Sequence, residues 1–394
     1  MNKSICFITE HYPTKNYPMY TFLEQLVNEI SKLGYNCYVI CPSSLTKKAL
    51  QKFPLKKRLE VRSVDNEIIR IYSPRFISFS AGKFFGLNLS YLTYISFYIS
   101  TLLEFRKISK TVKFDVIYSH FIFPSGLSAA RISKMYNIKS VMAYGENTDY
   151  SVKRLGLKAT QKRLIDIDKV IAVSTKNKNY LVSNNLIKDE KIKIFLNGFN
   201  HLKFFKRNKV EVRTYLGLDL NDFIVITIGG FSSIKGTAEL SNALNNLNHL
   251  GIKSIFIGNG DIKPNHKHCL FAGNIDHDQI PIWLSAADVF VLPSKAEGLS
   301  NAILEAMGCG LPIIASDRDF NYDILDYSNS ILINPDDINE ISSAIETLYN
   351  SPVLCEQLGN GSVKRALNLH LDERARRIIE YIEKNDEAIY EEKY

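Results

Sequence analysis

The 394-residue sequence lacks the features that mark several classes of protein. Its six cysteines form no CxxC pair, so neither a disulfide framework nor a zinc module is expected, and a reducing compartment fits better. Because 45% of the residues are hydrophobic and only 23% are charged, a disordered chain is excluded. The opening MNKSICFITEHYP has no long apolar run and no small-residue cleavage site. It predicts a buried first strand rather than a secretory signal, and it favours a cytoplasmic location.

Acidic residues are scarce in the first half of the chain. Residues 1–200 carry 31 Lys and Arg against 14 Asp and Glu, whereas residues 201–394 carry 18 against 27. The asymmetry predicts two units with different partners, and a basic surface attracts nucleic acid, anionic lipid or a phosphorylated substrate. The basic residues are spread over loops and form no known nucleic-acid-binding module, so nucleic acid is not expected as a partner.

Long hydrophobic runs are also absent. Segment 84–103 has no charged residue, but half of it is Gly, Asn, Ser, Thr or Tyr. It could span a bilayer, lie at a membrane interface or pack as an ordinary helix, and we favour the packed helix. Segment 47–62 is rich in Lys and Arg and has a single acid. It is either a solvated loop or a surface for anionic lipid or a phosphorylated substrate, and its charge favours the second.

Short runs of β-branched and aromatic residues alternate with helical periodicity along the whole chain. Typical strands are SICFIT, NCYVIC and DVIYSH in the first half and FIVITIGG, DVFVLPS and PIIAS in the second. The alternation predicts parallel sheets with crossover helices, and therefore an α/β fold of two doubly wound, Rossmann-like domains. We place these domains at residues 1–200 and 201–370, and we expect a last helix in residues 371–394 to pack back on the first domain.

One loop and helix follow the predicted strand DVFVLPS. Glu297 lies in the loop, and Gly298 lets a ligand approach the backbone closely. Ser300 or Asn301 can cap the helix, whose N-terminal N–H groups favour a diphosphate. Glu305, one turn into the helix, could bind a diol such as ribose; the alternative is a solvated helix residue.

A glycine-rich loop follows the strand FIVITI. Gly229, Gly230 and Gly236 surround Lys235 near a helix start, an arrangement suited to a phosphate, although such a loop can also be a simple turn. Two more strands of this domain end in IGNGD and AGNIDHDQ. Four loops at one sheet edge make a nucleotide-diphosphate pocket the favoured interpretation.

These motifs resemble those of glycosyltransferase family 4, retaining enzymes of the GT-B fold. Glu297-x7-Glu305 with AMGCGLPIIAS resembles the family's E-x7-E segment, and IGGFSSIKG its G-R-x-x-x-x-K-G loop. The family's base-binding strand and the helix after it resemble AGNIDHDQIPIWLSAADVFVLPS, and the end of its first domain resembles NGFN. The first domain of one branch of the family resembles two further segments, HYPTKNYPMYTFLEQLVNEISKLGYNCYVICP and DVIYSHFIFPSG. The resemblance implies an acceptor-binding domain (1–200) and a nucleotide-sugar donor-binding domain (201–370) that face each other across a cleft.

The resemblance also implies a role for each matched residue. Glu297 would contact the transferred sugar, Lys235 would neutralise the diphosphate, and Glu305 would bind the ribose hydroxyls. Backbone groups would hold the rest of the donor, at Gly229, Gly230, Gly236, Gly273, Asn274, Ile275, Gly298, Leu299, Ser300 and Asn301. No metal or other cofactor is expected, because Lys235 and the helix N-terminus can stabilise the phosphate charge.

The activity implied is retaining hexosyl transfer from a nucleotide-diphosphate sugar, with UDP favoured. The acceptor would be a glycan or a polyprenyl-diphosphate-linked glycan in surface polysaccharide assembly. The basic first half and segment 84–103 extend this to peripheral association with an anionic membrane, at its inner face.

The sequence departs from the family pattern at several positions. The family's Arg falls on Gly230, and the family's His-Gly falls on Tyr144 and the glycine after it, followed by Glu146. Residues 17–19, Tyr-Pro-Met, stand where glycines are common. His120, Tyr144 and Glu146 are the acceptor-side candidates, and His120 is equally well interpreted as a structural histidine.

Two further patterns suggest metal ligands. Asp166 and Asp168 resemble the D-x-D of the other large glycosyltransferase fold, but they lie in the wrong domain and are interpreted as structural. His266, His268 and Cys269 could ligate zinc, but no fourth ligand is near, and a solvated loop is favoured.

Two alternative functions stay open. A GT-B nucleotide-sugar epimerase would need the donor and no acceptor. A non-catalytic partner in glycan assembly, with a decayed donor site, would fit the glycine at position 230, and it predicts that Glu297→Ala leaves the biological output unchanged.

Overall fold

Parallel strands with crossover helices build both halves of the chain, which confirms the α/β architecture predicted from the alternating pattern. The structure is a computed structural model and describes residues 2–14, 19–50, 55–65, 67–79, 82–84, 87–146 and 149–384. The chain divides into two units, Met1–Phe195 with Arg374–Tyr394, and Leu196–Glu373.

The first unit is built on an eight-stranded sheet. The strands of this unit are β1 (Ser4–Ile8), β2 (Asn36–Ile40), β3 (Ser43–Ser44), β4 (Leu59–Val64), β5 (Glu67–Tyr72), β6 (Arg75–Phe76), β7 (Lys83–Phe84), β8 (Leu87–Asn88), β9 (Val116–His120), β10 (Lys139–Tyr144), β11 (Lys169–Ala172) and β12 (Ile192–Ile194). The sheet order is β12-β11-β10-β9-β1-β2-β5-β4, parallel except for the antiparallel pair β4 and β5. The short strands pair as β3 with β6 and β7 with β8.

Helices cover both faces of this sheet. They are α1 (Thr21–Lys32), α2 (Leu45–Ala49), α3 (Leu89–Ile108), α4 (Leu127–Tyr136), α5 (Tyr150–Leu155), α6 (Leu157–Leu164), α7 (Thr175–Ser183) and, from the C-terminal part of the chain, α14 (Leu371–Glu383). All five residues of β1 are buried, as predicted for the first strand. Cys6 and Ile8 pack in a core with α3 and α4, whereas Ile5 and Phe7 pack in a second core with α1 and α14. Because successive side chains of a strand point to opposite faces of the sheet, β1 contributes to the hydrophobic core on each face.

The second unit has a six-stranded, fully parallel sheet. Its strands are β13 (Ile224–Ile228), β14 (Lys253–Ile257), β15 (Cys269–Gly273), β16 (Val289–Leu292), β17 (Ile313–Ser316) and β18 (Ser330–Ile333), and its helices are α8 (Lys209–Leu216), α9 (Thr237–Asn246), α10 (Ile280–Ala286), α11 (Asn301–Gly308), α12 (Ile338–Tyr349) and α13 (Pro352–Ala366). The order β15-β14-β13-β16-β17-β18 reverses direction between β13 and β16. Doubly wound sheets bind ligands at such a switch point.

The uncharged segment 84–103 is helical from residue 89 onward, while residues 85 and 86 lie outside the described ranges. Tyr94, Phe97 and Phe105 of α3 are buried in the first core, as expected of a packed helix. Ile99 and Leu103 are 48% and 59% exposed. Within the described part of the chain, no helix is long and apolar enough to cross a membrane.

Candidate active site

Four loops meet at one edge of the second unit's sheet. They follow β13, β14, β15 and β16 and comprise residues 229–236, 258–261, 274–279 and 293–300. Because these strands run parallel, their carboxyl ends lie at the same edge. We call these four loops the donor edge.

Lys235 and Glu297 form an ion pair at the donor edge. The Ser294 hydroxyl donates a hydrogen bond to the same Glu297 oxygen at 2.9 Å. Glu297 is only 8% exposed, so the paired ammonium compensates a largely dehydrated carboxylate. The residues predicted to act on the sugar and on the diphosphate therefore contact each other, and a phosphate arriving here would compete with Glu297 for Lys235.

The loops that carry this pair are joined through their backbones. The Lys295 N–H donates to the Ile234 carbonyl at 2.7 Å. Gly236 has a φ of 68°, and a Cβ there would clash with the carbonyl oxygen of Pro293, so only glycine fits. At Gly230 the nearest atom to a built Cβ is 3.8 Å away, so sterics do not exclude a larger residue where the family has Arg.

Helix α11 presents its N-terminus to the donor edge. Ser300 occupies the N-cap position, but no side-chain cap is formed there within the described residues, which corrects the predicted capping role. Asn301 instead accepts a hydrogen bond from the Asn197 side chain at 2.9 Å, and Asn197 also donates to the Leu299 carbonyl at 3.4 Å. Gly298 directly precedes these residues. The first-turn N–H groups are thus left available to an anion.

Glu305 is nearly buried on α11, at 9% exposure. Its carboxylate lies 3.1 Å from His277 Nε2. The hydrogen bond to Glu305 raises the pKa of His277, against the effect of burial. Sequence reasoning missed His277, since a single histidine in an AGNIDHDQ loop carries no recognisable signal.

The loop predicted to read the base begins where β15 ends. The Gly273 carbonyl accepts a hydrogen bond from the Gly258 N–H at 2.8 Å, so it is already occupied. Asn274 is exposed and Ile275 is half-buried. The exposed backbone after Gly273 is therefore the part of this loop that a ligand could reach.

His120 ends β9 at the corresponding edge of the first unit's sheet. It is 6% exposed, and its ring lies 4.8 Å from Phe22 and 4.4 Å from Phe121. Its Nδ1 has no hydrogen-bond partner within the described ranges. Burial, helped by the charge of Arg374, lowers the pKa of His120 to about 3, so the imidazole is neutral near pH 7.

Glu146 follows β10 at the same edge. Its carboxylate accepts hydrogen bonds from the Ser151 hydroxyl and, at 3.2 Å, from the Ile122 N–H. Burial raises the pKa of Glu146, although these hydrogen bonds oppose the shift. Tyr144 is 1% exposed and stacks on Tyr180 with ring centroids 5.9 Å apart, so the structure places it in the core.

A charged group after β1 was not anticipated from the sequence. Glu10 accepts from the Lys47 ammonium at 3.0 Å, and Lys56 donates to the Tyr12 carbonyl at 2.7 Å. Burial lowers the pKa of the neighbouring His11 to about 4. Two lysines of segment 47–62 are therefore held at this edge, although residues 51–54 lie outside the described ranges. Tyr17 and Pro18, noted as departures from the family, lie outside them too.

The two sequence patterns for metal ligands have structural partners. Asp168 accepts from the Ser140 N–H at 2.7 Å, and Asp166 pairs with Lys134 at 2.9 Å. His266 is buried, with its Nδ1 2.7 Å from the Ser254 hydroxyl, so the expected solvated loop is wrong at that residue.

Comparison with solved structures identifies the fold. Sucrose-phosphate synthase of Thermosynechococcus elongatus superposes with a TM-score of 0.76 at 19% identity, covering 96% of this chain and 98% of that one. The architecture of two Rossmann-like units is the GT-B fold of glycosyltransferases.

Two family models match the sequence. Residues 19–201 match "Glycosyltransferase Family 4" and residues 222–351 match "Glycosyl transferases group 1". The chain therefore belongs to the family 4 type of GT-B glycosyltransferases, as the motifs predicted.

Curated relatives agree with this assignment. A Bacillus subtilis glycosyltransferase, provisionally assigned to teichuronic acid biosynthesis, is 28% identical over 366 residues, which is 86% of this chain and 88% of the relative. An Escherichia coli UDP-Gal:alpha-D-GlcNAc-diphosphoundecaprenol alpha-1,3-galactosyltransferase is 27% identical over 280 residues, 65% of this chain and 72% of the relative.

Proposed function

We propose that the protein is a retaining, metal-independent glycosyltransferase that moves a sugar from a UDP-sugar to a polyprenyl-diphosphate-linked glycan in surface polysaccharide assembly. The donor edge carries the proposal, because a diphosphate can take the place of Glu297 beside Lys235 and can accept hydrogen bonds from the first turn of α11, which has no side-chain cap among the described residues. Two relatives support the proposed donor, acceptor and pathway: one is provisionally assigned to teichuronic acid biosynthesis, and the other uses UDP-Gal and a diphosphoundecaprenol-linked acceptor.

The proposed reaction breaks the bond between the anomeric carbon and the diphosphate oxygen. The acceptor hydroxyl forms the new bond on the same face of the sugar, and its proton passes to the leaving phosphate oxygen. Lys235 and the N–H groups at the start of α11 stabilise the charge that develops on that oxygen. When the diphosphate takes over Lys235, the Glu297 carboxylate becomes able to accept hydrogen bonds from the sugar hydroxyls.

Calorimetric titration with UDP, GDP, ADP and CMP in EDTA tests the donor site. We expect selective binding of UDP, weakened about 10- to 100-fold in Glu305→Ala, because a hydrogen bond to a charged group contributes about 1.5–3 kcal/mol. Glu346→Ala, a half-buried helical glutamate on α12, is the matched control. Absence of binding by all four nucleotides would contradict the proposal, and binding that requires a divalent cation would contradict its metal-independent part.

Product analysis separates the alternatives. Conversion of a UDP-sugar to its epimer without acceptor would favour the epimerase, and unchanged polysaccharide output from Glu297→Ala would favour a non-catalytic partner. The paired Lys235 and Glu297 support the catalytic function, since they keep both expected charges at the donor edge.

We extend the proposal to peripheral binding at an anionic, inner membrane face. The support is the net charge of +17 over residues 1–200, together with exposed Ile99 and Leu103 on α3. Sedimentation with anionic liposomes at low salt tests it: we expect co-sedimentation that neutral liposomes or high salt abolish. Failure to sediment at low salt would remove the membrane from the proposal and leave the transferase untouched.

A further inference from the structure

Two histidines and an aspartate cluster in the second unit and share no residue with the donor edge. The rings of His201 and His370 stack with their centroids 4.1 Å apart and their planes inclined by 15°. Asp372 Oδ1 lies 3.6 Å from His201 Nδ1. One possible ligand atom from each residue lies within 4.8 Å of the other two.

Main-chain hydrogen bonds hold the two segments of this cluster together. The Phe199 N–H donates to the Leu369 carbonyl, and the Leu371 N–H donates to the Phe199 carbonyl, both at 3.0 Å. These bonds form a parallel bridge between Phe199 and His370. Gly198 permits the approach, because a Cβ there would lie 2.8 Å from Leu371 Cα. The side chains are thus brought together by the backbone, although they are far apart in the sequence.

We propose that His201, His370 and Asp372 bind a divalent transition-metal ion, with Zn²⁺ as the representative, in a non-catalytic site. Two imidazole nitrogens, one carboxylate oxygen and a water complete the four-coordinate set that zinc prefers. Ligand atoms in a tetrahedral zinc site lie roughly 3.3 Å apart, so the stacked rings must rotate until one nitrogen of each points at the ion. The side chains of His201 and Asp372 are 34% and 56% exposed, which leaves them room to do so.

The ion would join two segments that lie at the ends of the second unit. The chain enters this unit at Leu196 and leaves it after Glu373. Because the unfolded chain does not hold the three ligands together, metal binding stabilises the folded unit. The expected role is structural, and it does not depend on the proposed transferase activity.

Metal titration of the full, tag-free chain tests the site after chelator treatment and dialysis. We expect one Zn²⁺ per chain, a Co²⁺ absorption spectrum typical of tetrahedral nitrogen and oxygen ligands, and a higher unfolding temperature with Zn²⁺. His370→Ala and Asp372→Asn should each weaken Zn²⁺ binding by about tenfold or more, which is at least about 1.4 kcal/mol. His249→Ala, an exposed histidine outside the cluster, should not change it.

Unchanged zinc affinity in both His370→Ala and Asp372→Asn would overturn the proposal, as would wild-type binding no tighter than that of the double variant. Asp372 is more than half exposed, so Asp372→Asn should keep the fold, and its unfolding temperature in EDTA checks this. UDP binding in EDTA, measured on the same variants, should match the wild type. If the wild type does not bind UDP, that result would count against the proposed function and not against the metal site.

Discussion

The edges of the two sheets, compared separately, differ in what builds them. At the donor edge of the second unit, the main features are a close backbone contact and an ion pair: Gly236 lies against Pro293, and Lys235 pairs with Glu297. At the edge of the first unit, buried side chains dominate, with His120 among aromatic rings and Glu146 tied to Ile122.

A histidine in each unit shows the difference most clearly. Burial without a hydrogen-bonded carboxylate lowers the pKa of His120 to about 3, whereas the Glu305 carboxylate raises the pKa of His277. The first is a neutral group in an apolar setting and the second is half of a polar pair. The comparison teaches that close backbone contacts and charged pairs shape the edge of the second unit, whereas packing of buried side chains shapes the edge of the first unit.

The largest effect is expected at Lys235. Lys235→Ala should lower kcat/KM for sugar transfer about 10²–10³-fold, as does the loss of one preorganised group facing a developing oxyanion. Lys253→Ala is the control, because Lys253 has similar exposure, 27% against 26%, and also lies near a carboxylate, Asp222. Steady-state kinetics with a UDP-sugar measure both. A loss of less than tenfold in Lys235→Ala would break the assignment of the cation to the second unit.

Glu146 tests whether the first unit serves the acceptor. Glu146→Gln keeps the side-chain shape but removes the charge, and we expect the KM for acceptor to rise about tenfold, roughly 1.4 kcal/mol. Calorimetric affinity for UDP should be unchanged. Ser183→Ala is the control, because among the described contacts its hydroxyl bonds only to near neighbours in the chain, the Tyr180 carbonyl and the Asn184 side chain. An equal loss of affinity for UDP and for the acceptor would show that Glu146 does not act on the acceptor alone.

The glycines test whether the backbone defines the donor edge. Gly236→Ala should destabilise the protein by about 1–2 kcal/mol or more, because alanine resists a φ of 68° and its Cβ meets Pro293. Gly230→Ala should stay within about 0.5 kcal/mol of the wild type, since its Cβ has space. Chemical denaturation compares them. Equal stabilities of the two variants would contradict the close approach at Gly236.

The smallest expected effect is a difference in pKa between His277 and His120. In an NMR titration His277 should titrate above 6.5 and His120 should not titrate between pH 5 and 8. Since folding raises the pKa of His277, its stabilising contribution is fully present below pH 6.5 and is lost as the pH rises through the raised value. Glu305→Gln should move this pKa back toward 6.5. A His277 pKa unaffected by Glu305→Gln would contradict the pairing.

Prediction from the sequence succeeded where a local pattern has a local cause. The strand–helix alternation predicted both sheets, and Gly236 beside Lys235 marked a turn that only glycine can make. It failed where partners come from distant segments, as with His277 beside Glu305 and Asn197 beside Asn301. The family pattern directed attention to Tyr144, which the structure places in the core.

The sequence by itself determined the doubly wound architecture, because periodicity and glycine-rich turns act over short stretches of chain. The resemblance of its motifs to those of glycosyltransferase family 4 pointed to the family. Only the tertiary structure decided which charges meet. Lys235 pairs with Glu297, and the rings of His201 and His370 stack. His266, which the sequence offered as a metal ligand, is instead buried and hydrogen-bonded to Ser254. Contacts between distant segments depend on how strands and helices pack, which no short stretch of sequence encodes.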